Sequence, residues 1–322
     1  MITKKWMVIA CTSGLLAFGV AACGDDDDDS ASSSGDLSGS ISIDGSSTVQ
    51  PFAEAAAELF NEENPEVDVT VGAAGTSGGF EKFCAGETDI SDASRPIDEK
   101  EEVPICEENG VEYNEVQVAN DGISVVTNPA LEISCLTTDQ LAELWDKDSS
   151  ITNLGDLGED ADSGEPLPDT ELSLYGPGTD SGTFEYFTEE VVGEEGNSRD
   201  DYQASEDDNV LVQGVSGDEG GLGYFGFSYY EQNADSLNLV SVDGGDGCIA
   251  PSPETIADGS YAPLSRPIFM YPSTEALAKP EVAAFMQYVV DNYDTIADAA
   301  LIVPMDETQA EDASGALEGA VG

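Results

Sequence analysis

Three short stretches of glycines and small hydroxyl residues have the composition of an anion site: 45–48, 75–79 and 180–183. Each follows a strand-like run and precedes a segment with helical apolar periodicity. The first turn of a helix carries unpaired backbone N–H groups and the positive end of the helix dipole, and small residues let an anion approach them closely. For any one stretch alone, an ordinary helix N-cap is the better interpretation. Three of them facing one point would form a cradle for a small oxyanion.

The elements that would position these turns alternate between strands and helices. Apolar alternation predicts strands near 41–43, 67–71, 89–91, 113–119, 122–128, 172–175, 237–242 and 268–271. Helical periodicity predicts helices over 49–61, 79–85, 141–145, 184–192 and 280–296, and 155–171 is a predicted loop. A capping box at 137–140 marks the start of the third helix. This order predicts the α/β class with two lobes, largely parallel pairing in each, and a ligand at the carboxyl ends of the strands.

The composition excludes several kinds of function. The chain has 9 Lys and Arg against 67 Asp and Glu, a formal charge of -58, so it lacks the cations that a nucleic-acid binder needs. Self-repulsion on this scale predicts a protein that works in high salt, which screens the charges. The chain has no histidine, which excludes Ser-His-Asp catalysis and His-ligated zinc. We therefore expect a binding protein rather than an enzyme, with no cofactor and no metal.

The N-terminus has the pattern of a targeting segment. Lys4 and Lys5 precede an apolar stretch over 6–20, and the run Val20-Ala21-Ala22-Cys23 resembles a bacterial lipobox. This pattern predicts a signal peptide over 1–22, a lipid on Cys23 and an acidic, Ser-rich tether over 23–38. The expected location is the extracytoplasmic face of the membrane, periplasmic or at the cell surface. A plain secretory signal with an incidental cysteine is the alternative.

Four cysteines remain in the body of the chain: Cys84, Cys106, Cys135 and Cys248. An even number in an oxidising compartment favours two disulfides over four free thiols. Three pairings are possible, and spacing alone does not choose among them.

Several motifs are similar to those of phosphate-binding proteins of bacterial phosphate ABC transporters. They lie, in the same order and spacing, at 43–51, 75–79, 83–97, 176–184, 205–215 and 221–225. The resemblance spans roughly residues 40–320. It implies a type II periplasmic-binding-protein fold, with two α/β lobes joined by two crossover strands and a ligand cleft between them. Lobe one would be 39–126 plus 264–322, and lobe two 127–263.

The resemblance also implies a function. The protein would capture inorganic phosphate and deliver it to the permease subunits of an ABC transporter, acting as a monomer. Another tetrahedral oxyanion such as sulfate or molybdate, a surface phosphohydrolase, or an adhesin or sensor that kept only the fold are the alternatives. With these lobes, pairing Cys84 with Cys106 and Cys135 with Cys248 keeps each disulfide within one lobe. A bridge between Cys84 and Cys135 would hinder closure of the hinge.

Carried over residue by residue, the family's ligand contacts fall on all three turns: Ser47, Thr48, Thr76, Ser77, Ser181, Gly182 and Thr183. This chain departs from the family at two positions. Some members have an Asp where Ser94 stands and an Arg where Pro177 stands. We expect Ser94 to line the site and Arg95 to supply the cation, because Arg is the bidentate partner of oxyanions. A surface salt bridge is the alternative role for Arg95.

The missing Asp raises the question of which group accepts the proton of phosphate. Asp180 is the first candidate, although it could equally cap the helix predicted over 184–192, and Asp121 is the second. Arg199 and Arg266 are weaker candidates for the site and are predicted to form structural ion pairs within the acidic surface.

Overall fold

Strands flanked by helices on both faces make up the part of the chain that a computed structural model describes, residues 37–179 and 181–321. The signal segment, Cys23, most of the tether and Asp180 lie outside the described residues, so the predictions made for them remain predictions.

The described strands alternate along the chain with helices, as the sequence predicts. They are β1 (Ser38–Gly45), β2 (Glu66–Val71), β3 (Ile90–Ala93), β4 (Val116–Thr127), β5 (Cys135–Thr137), β6 (Ser173–Pro177), β7 (Gln203–Ser205), β8 (Gly221–Gly226), β9 (Asn238–Asp243), β10 (Cys248–Ile249) and β11 (Ser265–Pro272).

The helices cover both faces of these strands. They are α1 (Gln50–Glu63), α2 (Thr76–Cys84), α3 (Val103–Asn109), α4 (Thr138–Trp145), α5 (Gly182–Phe187), α6 (Asp208–Gly217), α7 (Phe227–Gln232), α8 (Pro253–Ala257), α9 (Thr274–Leu277), α10 (Pro280–Asp291), α11 (Tyr293–Ala300) and α12 (Glu307–Val321). Among the described residues, no helix is long and apolar enough to cross a membrane.

The strands form one continuous path in the order β2-β1-β3-β11-β4-β8-β6-β7. In lobe one, β1 runs parallel to β2 and β3, and β11 returns antiparallel between β3 and β4. In lobe two, β8, β6 and β7 run parallel, and β9 pairs with the second half of β4. The pairing is therefore parallel around each ligand-facing turn and antiparallel where the chain crosses between lobes.

β4 is one strand shared by both lobes. Its residues 116–122 pair with β11, and its residues 123–127 pair with β8. The sequence analysis predicts two strands here, over 113–119 and 122–128, and that prediction is wrong. The Asn120-Asp121-Gly122 run reads as a turn, but Asn120 stays extended by exchanging backbone bonds with Val303. A Cβ on Gly122 would lie 2.5 Å from the end of the Ile256 side chain, so Ile256 would have to move to admit one.

Each lobe has apolar packing on both sides of its strands. In lobe one, Phe52 and Phe285 are fully buried on one side, and Phe80 and Tyr271 pack edge to face in a second cluster. In lobe two, one apolar cluster surrounds Trp145 and a separate one surrounds Phe225. Burial of one such aromatic side chain is worth about 1.5–3 kcal/mol, so each lobe has its own stabilising core.

Two helices have boundaries that differ from the predicted ones, α2 in lobe one and α10 near the C-terminus. α2 begins at Thr76 rather than 79, so the second turn is itself helical. The long helix predicted over 280–296 breaks at Asn292, whose backbone and side-chain N–H groups both donate to Tyr288 O, and α11 follows. The sequence analysis does not predict α12 or β8. The glycines that make 221–226 look like a turn let β8 pack closely, because a Cβ on Gly223 would lie 2.5 Å from Tyr175 O.

Two predicted local features are present. The capping box is formed: Thr137 Oγ1 accepts from the Gln140 N–H at 3.1 Å, and Gln140 Oε1 accepts from the Thr137 N–H at 2.8 Å. The disulfides are Cys84–Cys106 and Cys135–Cys248, the pairings favoured from the lobe layout. The first joins α2 to α3 and the second joins β5 to β10, so each stays within one lobe.

Asp92 on β3 is fully buried, and neither carboxyl oxygen has a hydrogen-bond partner among the described residues. Burial, with the nearby Asp44 carboxylate as a second cause, raises the pKa of Asp92 well above its ordinary value. In the unfolded chain an Asp ionises above about pH 4. Because the folded chain holds this proton to higher pH, Asp92 makes the free energy of unfolding fall as the pH rises above 4.

We therefore predict that Asp92→Asn stabilises the protein, with a gain that is small at pH 4 and grows to about 1–3 kcal/mol at pH 8. Urea unfolding in molar NaCl at both pH values measures the difference. Asp68→Asn, the same change at an exposed position on β2, is the matched control and should stay within about 0.5 kcal/mol of wild type. A loss of stability at pH 8 would mean that Asp92 has a favourable partner.

Candidate functional site

The first and second turns lie side by side at the carboxyl end of lobe one's parallel strands. The first follows β1 and the second follows β2. The Ser46 N–H donates to Asp92 O at 3.0 Å, and the Gly75 N–H donates to Gly45 O at 2.9 Å. These bonds fix the two turns to β3 and to each other, because parallel strands end at a common edge of a sheet.

Residues of both lobes line a cleft of about 940 Å³ at this edge. Lobe one contributes Ser46, Ser47, Thr48, Thr76, Ser77, Ser94 and Arg95. Lobe two contributes Thr179, Gly182, Glu185, Tyr186, Glu189, Glu190 and Glu195, and Arg266 of β11 lies between them.

Gly182 brings the third turn directly against the first. A Cβ on Gly182 would lie 2.5 Å from Thr48 Oγ1, 2.7 Å from Thr48 N and 2.8 Å from Ser47 Oγ. No side chain fits in that space without moving the first turn. The contact joins residues of the two lobes, so glycine at this position lets the first and third turns lie this close together.

The turns differ in how their helices are capped. Ser181 caps α5, because its Oγ accepts from the Thr183 N–H at 3.2 Å. Neither α1 nor α2 has a side-chain cap, so the ordinary N-cap interpretation fits the third turn alone. On α1 the Gln50 N–H already donates to Ser46 O at 3.0 Å and Pro51 has no N–H, so the uncapped N–H groups that face a ligand are those of α2. Ser181 and Thr183 lie beside the cleft rather than on its wall.

A hydroxyl cluster joins the second turn to the end of β3. Thr76 Oγ1 and Ser94 Oγ are 3.0 Å apart, and the Ser94 N–H donates to Thr76 Oγ1 at 3.3 Å. Arg95 Nη2 donates to Ser77 Oγ at 2.9 Å. The structure thus brings together Thr76, Ser77, Ser94 and Arg95, as the sequence analysis expects.

Arg95 also forms the ion pair that was its alternative role. Its Nη1 and Nη2 donate to both carboxylate oxygens of Glu102, at 3.0 Å and 2.8 Å. This hydrogen-bonded pair raises the pKa of the Arg95 guanidinium above its ordinary value. The Arg95 side chain is 40% exposed, against 11% for Glu102. Arg95 is therefore at the cleft, but one carboxylate already neutralises most of its charge.

Arg266 lies closer to the first turn than the sequence analysis expects. It forms the predicted ion pair, with Nε 3.3 Å from Asp121 Oδ2, but within the cleft and not on the acidic surface. Its Nη2 donates to Thr48 Oγ1 at 2.8 Å, and its guanidinium lies 3.5 Å from the centre of the Tyr186 ring. Arg266 is opposite Asp121 in the β4–β11 register, so the crossover strands themselves carry a cation to the cradle.

The other candidates are placed differently. Asp121, the second candidate for the proton acceptor, is mostly buried, is held by Arg266 and does not line the cleft. Arg199 forms the structural ion pair expected of it, with Asp201, and donates to the carbonyls of Leu144 and Ile151.

The sequence analysis misses an acidic wall on the lobe-two side, which consists of Glu185, Glu189, Glu190 and Glu195. α5 continues into a π-helical segment, Thr188–Val192, that carries two of these residues. The Thr188 Oγ1 hydroxyl holds the segment by donating to Phe184 O and accepting from the Gly196 N–H, both at 2.8 Å. Burial raises the pKa of Glu190 and of Glu195, and neighbouring carboxylates add to both shifts. In a chain so rich in acids, these residues carry no sequence signal.

Two α/β lobes with hydroxyl-lined turns facing a shared cleft define a solute-binding architecture. Comparisons with known proteins agree. Residues 30–292 match the model of the PBP superfamily domain. SphX of Synechococcus elongatus is 43% identical over 82% of this chain and 77% of its own length. The phosphate-binding protein PstS of Staphylococcus saprophyticus is 35% identical over 99% of this chain and 96% of its own length.

Solved structures agree with the fold. A possible phosphate binding protein from Planctomyces limnophilus has a TM-score of 0.81 and 41% identity, covering 89% of this chain and 100% of that one. A putative phosphate ABC transporter substrate-binding protein from Clostridium perfringens, solved with bound phosphate, has a TM-score of 0.56 and 27% identity, covering 83% and 100%. The chain belongs to the PBP superfamily, in the family of PstS phosphate-binding proteins, and the predicted fold class is confirmed.

The surroundings of the two arginines predict different costs for their removal. Arg266 and Asp121 are only 14% and 12% exposed, so Arg266→Gln leaves a mostly buried carboxylate without its cation. We expect a loss of about 2–3 kcal/mol in the free energy of unfolding. Arg95→Gln should cost less, about 1 kcal/mol, because Glu102 keeps a second donor, the Asp98 N–H at 2.8 Å, and Arg95 itself is 40% exposed.

Urea unfolding of both variants in the same salt measures the costs. The double variant Arg266→Gln, Asp121→Asn should recover part of the loss, because it removes the unpaired charge. Equal costs at the two arginines would mean that the remaining donor to Glu102 does not offset the loss of its cation.

Proposed function

We propose that this protein is an extracytoplasmic solute-binding lipoprotein that captures inorganic phosphate in the cleft and delivers it to an ABC permease. The observation that carries the proposal is the convergence of three turns from different strands, with two guanidinium groups, on one cleft. The names of the relatives, PstS and phosphate-binding protein, support phosphate over other oxyanions.

The proposed mechanism is capture without covalent chemistry. Backbone N–H groups of the first turn and of the starts of α2 and α5, and the hydroxyls of Ser47, Thr48, Thr76, Ser77 and Ser94, donate to the phosphate oxygens. Arg266 and Arg95 supply positive charge, and Gly182 lets the third turn approach. Ser181 and Thr183 shape the start of α5 and are proposed contacts in the closed complex. Asp180 remains our candidate for the acceptor of the phosphate proton.

Closure is proposed as rotation of two lobes about β4 and β11. Lobe one is 39–126 plus 264–322 and lobe two is 127–263, with β4 shared between them. Separate apolar clusters in each lobe support rigid-body movement. Closure removes water from around the ligand, which strengthens each charge-assisted hydrogen bond.

The remaining parts of the proposal concern place and partners. A lipid on Cys23 would hold the body at the extracytoplasmic face of the membrane through the 23–38 tether. The permease subunits would then open the cleft and receive phosphate. We expect a monomer, and we expect molar salt to remove the repulsion between phosphate and the acidic surface.

The test is calorimetric titration of the purified protein in molar NaCl with phosphate, sulfate and molybdate. Binding of phosphate, with much weaker binding of the other two, is the expected result. Preference for sulfate or molybdate would reassign the ligand. Release of product from a chromogenic phosphate ester would favour the phosphohydrolase alternative. If no anion gave a detectable heat of binding, an adhesin or sensor that keeps only the fold would be favoured.

The close approach of the third turn predicts the effect of Gly182→Ala. The added methyl group would meet the backbone and hydroxyl of Thr48, so the turns cannot come together around the ligand. We expect phosphate affinity to fall at least about tenfold, or 1.4 kcal/mol. Calorimetry measures the affinity, and thermal unfolding checks that the variant is folded.

Gly217→Ala is the matched control. Gly217 ends α6, and a Cβ there would meet nothing within 4 Å. This variant should bind as wild type does. If Gly182→Ala also bound with unchanged affinity, the third turn would not belong to the site.

A further inference from the structure

The acidic wall touches the cradle at one point. Ser47 Oγ donates to Glu185 Oε2 at 3.0 Å, between residues 138 positions apart in the chain. Ser47 belongs to the first turn in lobe one, and Glu185 belongs to α5 in lobe two. Both side chains line the cleft. This hydrogen bond therefore joins the proposed anion cradle to the opposite lobe.

A hydroxyl group has one proton to donate. Ser47 cannot give that proton to Glu185 and to a phosphate oxygen at the same time. Glu185 thus accepts a hydrogen bond from Ser47, a donor that an anion would use. Glu185 itself lies near the N-terminus of α5, where the helix dipole favours a negative charge. The carboxylate thus makes the same kind of contact that the ligand would make.

The charge of Glu185 is not balanced locally. Within the described ranges, Arg95 is paired with Glu102 and Arg266 with Asp121, whereas Glu185 forms no salt bridge. Glu189, Glu190 and Glu195 line the same cleft and add negative charge on the same side. A dianion entering beside Glu185 would meet uncompensated repulsion.

We propose that Glu185 is a built-in competitor of the anion, which takes the Ser47 proton and places a negative charge at the edge of the cradle. Phosphate must displace this contact, so Glu185 lowers the affinity of the site and assists release. This inference rests on the proposed function. It assigns to Glu185 an effect on affinity opposite to that of a ligand-binding residue.

The test uses two variants of Glu185. Glu185→Ala removes both acceptor and charge and suits a helix. Glu185→Gln removes the charge but keeps a weaker acceptor. We expect phosphate affinity, measured by calorimetry at pH 8, to rise about tenfold in the Ala variant and by a smaller factor in the Gln variant. Glu58→Ala, on the exposed side of α1, is the matched control and should bind as wild type does.

A double-mutant cycle tests whether the effect passes through Ser47. In a Ser47→Ala background only the repulsion between the Glu185 charge and phosphate remains, so Glu185→Ala should raise affinity by a smaller factor than it does alone. A full tenfold gain in that background would overturn the proposal, because the effect would then be independent of the shared proton. Weaker or unchanged phosphate binding by Glu185→Ala, with thermal unfolding showing a folded protein, would also overturn it.

The outcomes separate this inference from the proposed function. If wild type binds phosphate and the Glu185 variants bind no better, the inference alone is wrong. If neither wild type nor the variants bind phosphate, the proposed function is wrong and the inference falls with it.

Discussion

The constraint on which the site depends is that an anion must be held by a chain whose formal charge is -58. Net charge cannot attract the ligand, so attraction has to come from fixed local donors. The pairing of β1 with β2 and β3 positions them, because it sets two hydroxyl-bearing turns side by side at one edge of the sheet. Backbone N–H groups and hydroxyls carry no net charge, so the surface carboxylates do not neutralise them as they would a lysine or arginine. Salt then screens the long-range repulsion and leaves these short contacts almost unchanged.

Three of the cations lie beside the turns, where positive charge favours an anion. Arg266 reaches the cradle because the β4–β11 register sets it opposite Asp121, while its guanidinium also lies on Tyr186. One side chain thus contacts the first turn, a crossover strand and lobe two. Lys82 pairs with Asp44, which directly precedes the first turn. Lys82, Arg95 and Arg266 thus place positive charge beside the turns, in a chain that has only 9 Lys and Arg.

The parts of this site that the sequence predicts are those whose signals are local. Glycines and hydroxyls between a strand and a helix mark the turns, and Thr137 with Gln140 marks a helix start within four residues. Arg266 could not be placed in this way, because its position depends on pairing with a strand 145 positions earlier. Glu185 is equally invisible, since one acid among 67 Asp and Glu residues is not distinctive. The continuous β4 was missed because tertiary bonds to Asn120 overrode a local turn signal.

A binding protein that serves a transporter has to release its ligand as well as hold it. The two sides of the cleft differ in their chemistry. Lobe one contributes hydroxyls and guanidinium groups, and lobe two contributes carboxylates beside the third turn. Without a ligand these sides attract each other, as the bond between Ser47 and Glu185 illustrates. With a ligand, the acidic wall opposes it while the turns hold it. The affinity of the site is then a small difference between attraction by the turns and repulsion by the acidic wall. A partner that favours one conformation of the cleft can therefore shift the affinity with little binding energy.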